Sequence, residues 1–263
     1  MSRVVVKLGG HALDSLSPRS PLLVDLAHDI DQLHAQGVDV ALVHGGGPQI
    51  AKLLEAVGLE SHFHEGLRIT DATTMGFTAM ALGQVNLAIT AALNQLGVRC
   101  VGLSGADATL LRSTSLGEPW GRTGSVPTVR AEIISTLWSA GMTPVLSPVA
   151  VDECGELVNC NADTAAGALA GALGVDVLVL LSDVDQLRAV AHDEATSLES
   201  VTRAQAELLL ASGDARDGMR PKLLAALDAL GCGAKRVLMA NGTRAHALAH
   251  ALAGDVPTTE VVA

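Results

Sequence analysis

Three stretches of this chain are almost wholly apolar: Val4-Val5-Val6, Val40-Ala41-Leu42-Val43 and Val177-Leu178-Val179-Leu180-Leu181. A strand with no polar face cannot front water, so these runs need cover on both sides, as in a parallel sheet flanked by helices. Alanine- and leucine-rich stretches of helical character lie between them, and that alternation is the mark of βαβ units. Strands are expected at 3–8, 38–43, 98–103, 143–147, 176–181 and 235–239. Helices are expected over 20–36, 48–57, 73–96, 130–140, 161–173, 203–212, 219–230 and 243–252. The expected fold class is α/β, a three-layer αβα sandwich around a mainly parallel sheet. Segments 108–129 and 149–159, broken by glycine, proline and charge, read as short hairpins. Near residue 174 the content turns plainly βα, so a single domain with two lobes is expected, about 1–174 and 175–263.

Composition narrows the partners. The 263 residues are 49% hydrophobic but 2% aromatic, so the core is aliphatic. Charged residues make up 17%, which favours buried strands and a subunit interface over a heavily solvated surface. The net charge of −11 disfavours nucleic acid and anionic membranes as general partners. Four cysteines, at 100, 154, 160 and 232, form no C-x-x-C pair and read as reduced thiols. The first strand opens almost at residue 1, so no signal peptide is expected. No apolar run reaches the ~18–20 residues of a membrane span without charge or glycine. The expected location is the cytoplasm.

Twice, an apolar strand empties into glycines: Lys7-Leu8-Gly9-Gly10 and His44-Gly45-Gly46-Gly47-Pro48. Glycine removes the Cβ that keeps a ligand oxygen away from backbone N–H groups, and a following helix start offers unpaired donors. Two such turns and one lysine suit two anionic groups held face to face. In Gly66-Leu67-Arg68-Ile69-Thr70-Asp71, Arg68 offers a planar fork for a carboxylate, and Thr70 or Asp71 can cap the next helix. Asn159-Cys160-Asn161-Ala162-Asp163 crowds two amides and a carboxylate before a helix of small residues, where capping accounts for one of the three. Asp217-Gly218-Met219-Arg220-Pro221-Lys222 sets a second lysine one turn into an amphipathic helix. Taken singly, Lys7, Arg68 and Lys222 also suit a solvated rim, and His44 suits a structural role.

As an ordered set, these motifs, with Gly102-Leu103-Ser104-Gly105-Ala106-Asp107, resemble the amino-acid kinase family over essentially the whole chain. The branch it resembles phosphorylates N-acylated acidic amino acids. The resemblance implies an amino-acid/carbamate kinase-like fold and ATP-dependent phosphorylation of a side-chain carboxylate, N-acetylglutamate first. It implies Lys7, Lys222 and Asp163 as catalytic residues, the lysines flanking the transferred group and Asp163 holding both. It implies Gly45, Gly46, Arg68 and Asn159 on the substrate. Gly9, Gly10, Asp183, Val184, Leu187, Arg188, Ala215 and Arg216 would meet the nucleotide. Mg²⁺ would arrive with ATP on phosphate oxygens, with no protein metal ligand. A homodimer is implied too. Family members inhibited by arginine carry an extra helix before the first strand, so feedback by arginine is not expected here.

The chain departs from the family pattern in places. Gln186 stands where glycine is usual, Gly124-Ser125-Val126-Pro127 lacks a second glycine, and Thr258-Thr259 replaces a Gly-Thr. An alternative within the family is a sister kinase acting on N-blocked aminoadipate, or on glutamate or aminoadipate linked to a carrier protein. A ligand sensor without catalysis is a reading of another class. A dinucleotide-dependent dehydrogenase is disfavoured, since no G-x-G-x-x-G follows a strand.

Overall fold

The computed structural model describes residues 2–9, 13, 16–188, 193, 196–212 and 219–262. The chain runs through β1 (Ser2–Leu8), α1 (Pro21–Ala35), β2 (Val38–His44), α2 (Gly47–Ala56), β3 (Phe63–His64), β4 (Leu67–Arg68), α3 (Ala72–Gln95) and β5 (Cys100–Ser104). Then come β6 (Leu111–Arg112), β7 (Ser115–Gly117), β8 (Gly121–Gly124), β9 (Thr128–Val129), α4 (Glu132–Ser139), β10 (Thr143–Ser147), β11 (Val149–Val151) and β12 (Leu157–Asn159). It continues with α5 (Ala162–Leu173), β13 (Val177–Ser182), β14 (Leu187–Arg188), β15 (Ser197–Leu198) and β16 (Ser200–Thr202). The remaining elements are α6 (Arg203–Ser212), α7 (Met219–Gly231), β17 (Arg236–Asn241), α8 (Ala247–Ala253) and β18 (Thr258–Val262).

The main sheet has eight strands in the order β16-β18-β17-β13-β1-β2-β10-β5, parallel throughout except where β17 meets β18. Its two halves come from either side of residue 174. Side chains alternate across it as a period of two requires. On β1, Val4, Val6 and Leu8 pack with α1, α3 and α8 on one face. Val5 packs with α4, α5 and α7 on the other. Both faces are thereby covered. Lys7 follows the parity of Val5, so it emerges on the α5 side. The small residues of α5 let α7 lie close: a Cβ on Gly167 would come within 2.6 Å of the Ala225 carbonyl oxygen.

The helix α3 is long and apolar enough to cross a membrane on length and composition alone. Its stripe of Met75, Leu82, Val85, Ile89 and Leu93 is instead buried in the protein. The segments read as short hairpins do pair antiparallel, β7 with β8, β6 with β9 and β11 with β12, and they join further into one six-stranded sheet, β7-β8-β12-β11-β6-β9, through parallel pairings of β8 with β12 and of β6 with β11. The expected helix 243–252 begins only at Ala247, because His246 takes a left-handed backbone and Asp29 accepts from the Ala249 N–H at 3.1 Å. The strand β18 was not expected at all.

Candidate active site

The parity of β1 and the start of α5 meet at one ion pair. Lys7 Nζ lies 2.9 Å from Asp163 Oδ1, with both side chains almost wholly buried. Asn161 caps α5, accepting from the N–H groups of Asp163 at 2.9 Å and Thr164 at 3.2 Å. Asn161 is thus the one capping residue of the three, and Asp163 and Asn159 are released for other work. Burial pushes the Lys222 ammonium below the ordinary lysine range; Asp163 pulls it back up, Lys7 lowers it further and Asp183 raises it. Lys222 therefore shares one electrostatic cluster with Lys7, Asp163 and Asp183, although α7 starts more than two hundred residues after β1.

Gly9 carries the Lys7 ammonium directly above its backbone: a Cβ there would stand 2.1 Å from Nζ. Across the sheet edge, Gly45 donates its N–H to the Leu8 carbonyl at 2.8 Å. The expected role of that N–H as a free anion donor is therefore corrected; it ties the second turn to the first. Gly46 caps α2 and lines the cavity. His44 is fully buried at the end of β2, and burial holds its imidazole down at about 4, so it is neutral. Its Nδ1 lies 2.8 Å from the Gly45 oxygen and its Nε2 lies 3.1 Å from Asn86 Nδ2. The neutral tautomer that fits donates from Nδ1 and accepts at Nε2. Asn86 also donates to the Val145 carbonyl at 2.8 Å, which pins the glycine turn to the sheet.

A cavity of about 250 Å³ opens between the two glycine turns. Lys7, Gly9, Gly45, Gly46, Arg68, Asn159 and Asp163 all line it, so seven of the expected site residues come together. Arg68 is 7% exposed and donates to Ser61 Oγ at 2.5 Å and the Gly47 carbonyl at 3.2 Å. Its guanidinium lies 4.8 Å from the Phe63 ring centre. Burial lowers its pKa, yet a guanidinium stays charged at any working pH. Asn159 donates to Thr70 Oγ1 at 3.2 Å, and Thr123 donates to the Arg68 carbonyl. Thr123, Phe63 and Asn86 are not among the expected site residues; Thr70, expected only as a cap, leaves the α3 cap to Asp71, which accepts from the Thr74 N–H at 2.6 Å, and joins the site instead. Thr70 and Thr123 meet only through long-range pairing, and a lone threonine carries no local signal. Cys160, also on the cavity, is pushed up to about 11 by burial and stays a thiol.

On the other side, Asp183 and Val184 follow β13 and are exposed. The Leu187 side chain is 3% exposed and sits in the core, and its N–H donates to Thr259 Oγ1 at 2.9 Å. Arg188 lies on β14, partly exposed. Gly10, Ala215 and Arg216 lie outside the described residues.

Residues 2–241 match the amino acid kinase family. An acetylglutamate kinase of Deinococcus radiodurans is 42% identical over 255 residues, covering 97% of this chain and 98% of its own. One from Symbiobacterium thermophilum is 39% identical, covering 93% and 86%. Among solved structures, a protein of Streptococcus mutans UA159 superposes with a TM-score of 0.81 at 28% identity, covering 91% of this chain and 94% of its own. A carbamate kinase from Giardia lamblia, at 18% identity and TM-score 0.68, shares the fold, covering 99% and 98%.

Proposed function

The chain belongs to the amino acid kinase family, and on that premise we propose that it transfers the γ-phosphoryl group of ATP to the side-chain carboxylate of N-acetyl-L-glutamate. The product is N-acetylglutamyl 5-phosphate, an intermediate of arginine biosynthesis. The observation that carries this assignment is a cavity of about 250 Å³, walled by Arg68 and Asn159, that opens onto the Lys7–Asp163 pair.

A carboxylate nucleophile has a reference pKa near 4.3 and is ionised at neutral pH, so no general base is required. A carboxylate oxygen attacks the γ-phosphorus, the bond to the bridging oxygen breaks, and ADP leaves. The protein must position the two anions and neutralise the charge on the phosphoryl in flight. Lys7 and Lys222 flank that group, and Asp163 holds the ammonium groups against their mutual repulsion. Gly9 keeps the space in which the Lys7 ammonium lies. Gly45 and Gly46 shape the substrate side, His44 and Asn86 holding that turn rigid. Arg68 receives the α-carboxylate and Asn159 the acetamido group. Asp183, Val184, Leu187 and Arg188 are assigned to the nucleotide, as are Gly10, Ala215 and Arg216, which lie outside the described residues. Mg²⁺ rides in on the ATP phosphates.

The protein works in the cytoplasm, on the ATP pool there, as a homodimer. The dimer is supported by α3, which has no charged residue and leaves Met80 64% and Leu87 71% exposed on one face. Gly76 and Gly83 on that face allow a second copy of the helix to come close.

Hydroxylamine trapping of the acyl phosphate tests the substrate. ATP-dependent hydroxamate is expected with N-acetylglutamate, and little with N-acetylaminoadipate or free glutamate. Preference for aminoadipate, or no product with any of the three, would overturn the assignment.

A further inference from the structure

Open α/β sheets bind ligands outside the carboxyl ends of their strands. The cavity takes the β1–β2 part of that edge, which leaves the β13–β17 part to ATP. The loop that leaves β13 there is anchored at four points. The Ser182 carbonyl accepts from the Gly242 N–H at 2.7 Å. Asp185 Oδ1 accepts from Arg244 Nε at 2.6 Å. Gln186 Nε2 donates to the Thr258 carbonyl at 3.0 Å, and the Leu187 N–H donates to Thr259 Oγ1 at 2.9 Å. Thr259 is fully buried, and its hydroxyl donates onward to the Leu198 carbonyl, so one oxygen joins β14, β15 and β18. Between these anchors Asp183 and Val184 stay exposed. Two departures from the family pattern, Gln186 and Thr258-Thr259, thus meet in one clamp.

We propose that Gln186 and Thr259 are positioning residues for ATP: they fasten the loop after β13 to the C-terminal strand β18, in the shape that presents Asp183 and Val184 to the nucleotide. Neither touches the reacting atoms. The inference rests on the assignment of ATP to this side of the site.

Steady-state kinetics and direct ATP titration of Gln186→Ala, Thr259→Val and Thr259→Ser test it. Losing one such hydrogen bond should raise the KM and Kd for ATP about fivefold. The KM for N-acetylglutamate should stay unchanged, and Thr259→Ser, which keeps the hydroxyl, should behave as wild type. Gln186→Ala changes a partly exposed side chain and keeps the test valid if Thr259→Val fails to fold. Wild-type affinity for ATP in Gln186→Ala, or a parallel rise in both KM values, would overturn the clamp alone. A wild-type protein that binds no ATP would overturn the nucleotide assignment and the clamp with it.

Discussion

Lys7 owes its place to strand parity, and its ammonium owes its height above the chain to a missing Cβ. Replacing Gly9 by alanine puts a methyl group 2.1 Å from Nζ. The atom that must yield is the end of a flexible side chain, so the fold survives and the ion pair with Asp163 does not. Gly9→Ala is expected to cost about a hundredfold in kcat, with an unfolding free energy within about 1 kcal/mol of wild type. Unchanged turnover would contradict that account. Lys222 gives a second test, by pH. Its lowered pKa means the ammonium is lost as pH rises through a value below the ordinary lysine range, so kcat should fall on that alkaline limb. Lys222→Arg, which cannot deprotonate, should retain less activity but lose the limb. A limb that persists in the arginine variant would assign it to another group.

At the scale of elements, period and punctuation were legible. Apolar runs such as Val177–Leu181 need a covered sheet, and the strands and helices of the main layers lie within a few residues of their expected ends. What escaped was short or half polar. The strand β18 reads Thr-Thr-Glu-Val-Val, with Thr259 buried against β14 rather than facing water, so neither a continuous apolar run nor clean alternation marks it. The strands of the second sheet are two to four residues long and pair across distant sequence, which no local pattern reveals. The site divides the same way. Asn159, Asn161 and Asp163 stand out because three polar groups exceed what one cap needs. Thr123 is silent until β8 lies against β12. The engagement of the Gly45 N–H by Leu8 likewise depends on register between β1 and β2. At this scale, α3 predicts its partner: an uncharged exposed face with glycines at its centre suits a copy of itself. Leu87→Asp, on a side chain 71% exposed, should leave the fold intact and halve the mass seen by sedimentation. A wild-type protein that sediments as a monomer would refute the dimer.

The whole molecule brings together groups that the chain keeps far apart. One sheet carries the cavity beside strands from the first part of the chain, and the side proposed for the nucleotide lies on strands from the second. The buried carboxylate of Asp163 lies where they meet. Lys7 comes from the first strand and Lys222 from the penultimate long helix, so the two-lysine clamp exists only when the sheet is complete. On the proposed function, this clamp stabilises the phosphoryl group in flight and contributes little to holding the ground-state substrate. The most direct measurement is ATP-dependent acyl-phosphate formation by Lys222→Ala, paired with calorimetric binding of N-acetylglutamate to the same variant. The expected result is a fall of about a thousandfold or more in kcat, with a substrate Kd within about threefold of wild type. Near-normal turnover, or a loss of binding as large as the loss of rate, would contradict it.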